Sequence, residues 1–124
     1  MARFAVTRAG AIPAVSDFER SLAFYRDTLA LGVEAVYEDP PYATLTAAGA
    51  RISLAEQGHA AEDRPGVDMA AAADPSRADV VLVLEVADAR AVHAQLESEG
   101  VRFLASPFEP PWGGCRFFCV DPDS

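Results

Sequence analysis

Residues 11–34, AIPAVSDFERSLAFYRDTLALGVE, carry the pattern on which the fold turns. A short extended run containing Pro13 gives way to Ser16 and Asp17. Apolar residues then follow at helical spacing: Phe18, Leu22, Tyr25 and Leu29. Ser16 and Glu19 have the S-x-x-E spacing of a capping box, in which each side chain satisfies the other's free backbone donor. Gly32 is placed to end the helix, and a β-type run starts at Val33. Pro13 has no N–H to give a ladder, which confines its run to a sheet edge or a bulge.

Working outward, VEAVYED, YATLTA and ARISLAE read as three strands separated by turn residues. Residues 57–78 are rich in Ala, Asp, Gly and Pro without a sustained period, and read as a long connection. The order then restarts. DVVLVLEV is a β-branched run; Asp88 can cap a second helix carrying Ala89, Val92 and Leu96 on one face; Gly100 ends it. VRFLA and CRFFCV are further strands. Asp88 repeats Asp17 and Val86 repeats Val15, and after a short gap Gly100 and Val101 repeat Gly32 and Val33. Strand, Asp, helix, Gly and Val-strand therefore occur twice. The expected class is α+β, built from two βαβββ modules within one domain spanning 1–124. Module one covers about 5–56, the connection 57–78 and module two 79–124, with helices near 17–30 and 89–99. Module two has three strands before Ser124, and the turn residues DPDS would lead into a fourth that is missing from the chain.

The bulk properties agree with a single domain. A chain of 124 residues can bury one real core. With 51% hydrophobic and 23% charged residues, its composition is that of a folded protein. The net charge of −9 and the scattered basic residues argue against nucleic acid, whose phosphates would be repelled. No apolar run is long enough for a bilayer, and the N-terminus lacks a signal-peptide core, so a cytoplasmic protein without membrane contact is expected. Cys115 and Cys119 stand four apart in a strand-like run, which separates their Cα atoms by about 13 Å. A disulfide needs less than about 7 Å, so reduced thiols are expected.

The segments 11–34, LEVADARAVHAQLESEGV at 84–101 and PWGGCRFFCVDPD at 111–123 together resemble the vicinal oxygen chelate superfamily, which includes glyoxalase I, extradiol dioxygenases and bleomycin resistance proteins. The resemblance implies that the two modules curl into an open half-barrel around a cleft, usually completed as a homodimer. It also implies where a metal would be held. The first-strand ligand position falls at Gly10, its counterpart in module two at Val81, and the position in the fourth strand of module one near Ser53. Glycine and valine cannot ligate, and serine is a poor ligand for a divalent transition metal. His59 falls in the connection, and His93 lies at the counterpart of Leu22, where packing is the expected role. No metal and no other cofactor is expected.

Within the superfamily the likeness is closest to the metal-free bleomycin resistance proteins. It rests on Ile12-Pro13, on Tyr37 and Tyr42 flanking acidic residues in YEDPPY, and on Pro111-Trp112-Gly113. Trp112, Tyr42 and Tyr37 would then stack on a flat ligand, since aromatic faces attract planar rings and cations. Two alternatives stay open: Trp112 filling a subunit interface, and the tyrosines acting as ordinary strand residues. Alternation adds Ile12 on one cleft strand and Val83 and Glu85 on another, with Ser53 at the vacated ligand position. Where relatives often carry Arg after the Trp-Gly pair this chain has Cys115, with Arg116 one place later. The expected function is sequestration of an aromatic or cationic natural product in a dimer cleft, as in antibiotic resistance. The alternative is an enzyme of the same fold: a lyase, dioxygenase or isomerase with atypical metal ligands, or a metal-independent one using Glu85 or Glu56 as a base.

Overall fold

The computed structural model describes residues 5–59, 66–77, 81–111 and 113–122. It divides into two compact units, Met1–Ala71 and Ala72–Ser124. The architecture is α+β, with the element order of a βαβββ module in the first unit.

In that unit β1 (Gly10–Ala11) and β2 (Ala14–Val15) lie parallel to β5 (Ala50–Glu56). β3 (Gly32–Glu38) and β4 (Pro41–Ala47) complete an antiparallel meander, giving the order β1-β5-β4-β3. β1 and β2 share one register, with Gly10 opposite Arg51 and Ala14 opposite Ala55. The ladder lapses only at Ile12 and Pro13, where proline has no proton to donate. The Pro13 carbonyl still accepts from Ala55 N–H at 3.3 Å. The turn between β4 and β5 places Ala48 and Gly49 at positive φ (49° and 87°), as a two-residue hairpin of primed type requires.

The helix α1 (Phe18–Ala23) packs on β4 and β5 and continues as a π-helical turn over Phe24–Thr28. Phe18, Leu22 and Tyr25 are buried there with Ala43, Leu45, Ile52 and Leu54 from the sheet. The wider turn, closed by Leu29 N–H to the Phe24 carbonyl at 2.9 Å, leaves Leu29 only half-buried. The expected cap is one residue out of place. Asp17, not Ser16, is the N-cap, its carboxylate accepting from Arg20 N–H at 3.2 Å. The Phe18 N–H is taken by Glu56, so the Ser16–Glu19 box is not what starts the helix. Gly32 does not end it either. Ala30 takes the left-handed conformation (φ 57°), and Gly32 already belongs to β3. Glycine at 32 leaves room for its neighbour: a Cβ there would stand 2.8 Å from the Thr46 hydroxyl oxygen, which would have to shift.

In the second unit α2 (Ala89–Ser98) begins as read from the sequence, with Asp88 accepting from Ala91 N–H at 3.0 Å. It ends at Gly100, whose φ of 83° lets Val101 N–H return to the Leu96 carbonyl. β6 (Arg102–Phe103) pairs antiparallel with β7 (Cys119–Val120), and Phe108 bridges Arg116 farther along. VRFLA and CRFFCV are thus neighbours, as β3 and β4 are, but with shorter ladders. Residues 81–86 form no strand, against expectation, and 79–80 lie outside the described residues. Segment β1 owes its strand character to β5, the fourth strand of its module. Among the described residues of the second unit no equivalent partner pairs with 81–86, and Val81, Val83, Leu84 and Val86 stay exposed. Cys115 and Cys119 are both free thiols. Among the described residues no helix is long and apolar enough to cross a membrane.

Candidate functional site

Strand alternation gives the sheet of the first unit two unlike faces. One carries Ile52 and Leu54 against α1. The other carries Arg51 and Ser53, with Tyr42 directly opposite Ala55 on the neighbouring strand. The shared register of β1 and β2 brings Ile12 to the level of Ser53, at the point where the ladder lapses. On this face lies an open recess of about 300 Å³, lined by Arg8, Ala9, Gly10, Ala11, Ile12, Tyr42, Arg51 and Ser53. Tyr37 pairs across the strands with Tyr42, their ring centroids 6.3 Å apart at 44°. Tyr37 itself is 56% exposed, leaving its ring open to a ligand.

Of the residues singled out in the sequence, Ile12, Tyr42 and Ser53 come together in this recess, and Tyr37 flanks it through Tyr42. Val83 and Glu85 belong to the second unit, in the strand-free segment 81–86. Trp112 lies outside the described residues. Arg8 and Arg51 were not among the candidates, yet both line the recess. The signal was present: the alternation that marks Gly10 and Ile12 also marks Arg8, and Arg51 stands two before Ser53. Both reach the same carboxylate. Arg8 Nη1 lies 3.5 Å from Glu34 Oε1, and Arg51 Nη2 lies 3.3 Å from Glu34 Oε2. Glu34 sits at the irregularity where the β3–β4 register shifts between Val33 and Ala35.

Among the described residues, Gly10 and Ser53 do not fit a metal ion at the positions where the resemblance implies ligands. Gly10 has no side chain, and a Cβ placed on it would run into the Arg51 carbonyl oxygen, so the close approach of β1 to β5 excludes any ligand there. Among the described residues no three His, Cys, Asp or Glu gather as a binding group. His93 packs: its ring lies 4.1 Å from that of Phe103 and 5.2 Å from that of Phe117.

Glu56 has a different task from the one proposed for a base. One carboxylate oxygen accepts from Phe18 N–H at 2.9 Å, and the other lies 2.9 Å from His59 Nε2. The Phe18 bond, then the His59 bond, holds its pKa below the ordinary carboxylate value. A carboxylate so held is a weaker base and a firmer anchor for α1. A depressed folded pKa means that the stabilisation is present above the unfolded value and is lost as pH falls through the folded one. The melting temperature should therefore fall as the pH drops below the ordinary carboxylate value of 4.5, and should fall less in Glu56→Gln. Equal slopes for the two proteins, measured by circular dichroism, would show that Glu56 is not the anchor.

The model of the Glyoxalase/Bleomycin resistance protein/Dioxygenase superfamily matches residues 11–124. No curated protein matches the chain in sequence. Among solved structures, a glyoxalase/bleomycin resistance protein/dioxygenase from Nocardioides is similar at TM-score 0.77 and 20% identity, over 98% of this chain and 80% of that one. Lactoylglutathione lyase from Agrobacterium tumefaciens is similar at 0.72 and 15%, over 93% and 85%. An integron cassette protein from the mobile metagenome of V. cholerae is similar at 0.69 and 16%, over 99% and 92%. Identities this low speak for the fold alone. The family model covers nearly the whole chain, and with the βαβββ unit it matches, the chain belongs to the glyoxalase/bleomycin resistance protein/dioxygenase superfamily.

Proposed function

We propose that the protein is a metal-free binding protein that sequesters an aromatic or cationic natural product of the antibiotic type, without transforming it, as a cytoplasmic homodimer. The observation that carries this reading is the recess itself. Ile12 and the ring of Tyr42 supply apolar and aromatic contact, while no carboxylate, imidazole or thiol is among the described lining residues. Such a surface, as far as its described residues go, suits holding a flat molecule better than holding a metal. Trp112, by its Pro-Trp-Gly motif, and Val83 and Glu85, by their place in the repeat, stay proposed ligand contacts on the sequence alone.

The competing reading is an enzyme of the same superfamily. Glu56 is poorly suited to serve as its base, being committed to Phe18 and His59. Glu85 is the remaining candidate. A thermal-shift screen against planar antibiotics distinguishes the two, because a ligand bound only by the folded state raises its stability by mass action. The binding reading predicts at least one hit recovered chemically unchanged after prolonged incubation, with no stoichiometric zinc, iron or manganese in the purified protein. A hit that is converted to product would establish the enzyme instead, and a stoichiometric metal would overturn the metal-free reading.

A further inference from the structure

We infer that the recess takes its ligand by an anionic group, held by the guanidinium groups of Arg8 and Arg51. The ligand class is then a planar aromatic carboxylate. This rests on the reading of the recess as the binding site and narrows what can enter it.

The charges decide the matter. Arg8 and Arg51 both line the recess, and each side chain is nearly half exposed (45% and 47%). They share one carboxylate, Glu34, so two positive charges meet one negative charge. The contacts to Glu34 are long, 3.5 and 3.3 Å, against about 2.8 Å for a tight charge-assisted hydrogen bond. Each guanidinium offers five N–H donors in a planar fork, and Glu34 engages one nitrogen of each. Glu34 thus orients the two groups without exhausting them. A carboxylate is the anion whose geometry such a fork matches. A cation entering here would meet two guanidinium groups first, although the chain as a whole carries a net charge of −9. The field that selects the ligand is therefore local, built by two of the ten basic residues. The aromatic part of the ligand is specified by Tyr42 and Ile12, on the same lining. A volume of about 300 Å³ accommodates a small fused ring system.

Three probes of one shape and different charge test this: 2-naphthoate, the neutral 2-naphthamide and the cation 2-naphthylmethylammonium, each titrated calorimetrically into the full chain. The naphthoate is expected to bind about tenfold more tightly than the amide, and the cation most weakly. Arg51→Gln and Arg8→Gln should each reduce that preference while leaving amide affinity within about twofold, and Arg51→Lys should keep part of it. High salt should weaken the naphthoate alone. Glu34→Gln, which frees both arginines from their carboxylate, should increase the preference for naphthoate, and it decides the question if an arginine variant fails to fold. Equal affinity for naphthoate and amide in the unaltered protein, or a preference unmoved by Glu34→Gln, overturns the anion inference while leaving the planar-ligand reading intact. Failure of all three probes to bind overturns both.

Discussion

Leu54→Ala is expected to destabilise the protein by about 3 kcal/mol, whereas Ser53→Ala, one residue away, should change stability by less than about 1 kcal/mol. Both positions are buried, Leu54 at 0% and Ser53 at 3% exposure, so burial alone does not separate them. The face does. Leu54 is on β5, against which α1 packs, and is buried with Leu45, Ile52 and Phe18, so its truncation leaves a cavity in the core. Ser53 lines the recess, where losing a hydroxyl opens no void in the core. Urea unfolding followed by circular dichroism reads both values. Similar losses for the two substitutions would mean that the strand does not divide core from recess as described.

Tyr42→Ala is expected to weaken ligand binding by about 1–3 kcal/mol, the scale of an aromatic anchor, which is roughly 5- to 150-fold in Kd. Tyr42 lines the recess and is the cross-strand neighbour of Tyr37. Its loss removes a stacking face and leaves the Tyr37 ring without its partner. Tyr42→Phe should keep most of the affinity, because the face rather than the hydroxyl makes the contact. Tyr37→Ala should cost less than Tyr42→Ala, since Tyr37 touches the site only from its rim. Calorimetry with 2-naphthamide, whose neutrality removes the arginines from the comparison, measures the series. A Tyr42→Phe variant as weak as Tyr42→Ala would transfer the role to the hydroxyl and contradict the stacking account.

The first module was legible because its signals are local and agree with one another. Phe18, Leu22 and Tyr25 fall on one helical face, and β3, β4 and β5 appear within a residue or two of the runs that suggested them. The capping detail was less legible, since Ser16 and Asp17 both have capping chemistry. The choice fell to Asp17 because Glu56, distant in sequence, occupies the Phe18 N–H. The role of Gly32 was hidden for a similar reason: only the partner strand reveals the Thr46 hydroxyl beside it. The segment 81–86 reads as a strand by composition, but strand character depends on a partner. In the recess, Ile12 and Ser53 could be placed by counting along the repeat. The pairing of Arg8 and Arg51 through Glu34 could not, because it joins three strands' worth of sequence across a register shift.

The most direct test of the recess as the binding site is a ¹⁵N-resolved NMR titration of the full chain with 2-naphthoate. Saturable shifts should concentrate at the amides of Gly10, Ala11, Ile12, Tyr42 and Ser53, and the Leu45 and Leu54 amides behind the sheet should move little. Saturable shifts confined to Ala89–Ser98 and Arg102–Phe103, with the Gly10–Ile12 and Ser53 amides unmoved, would place binding elsewhere and contradict the account.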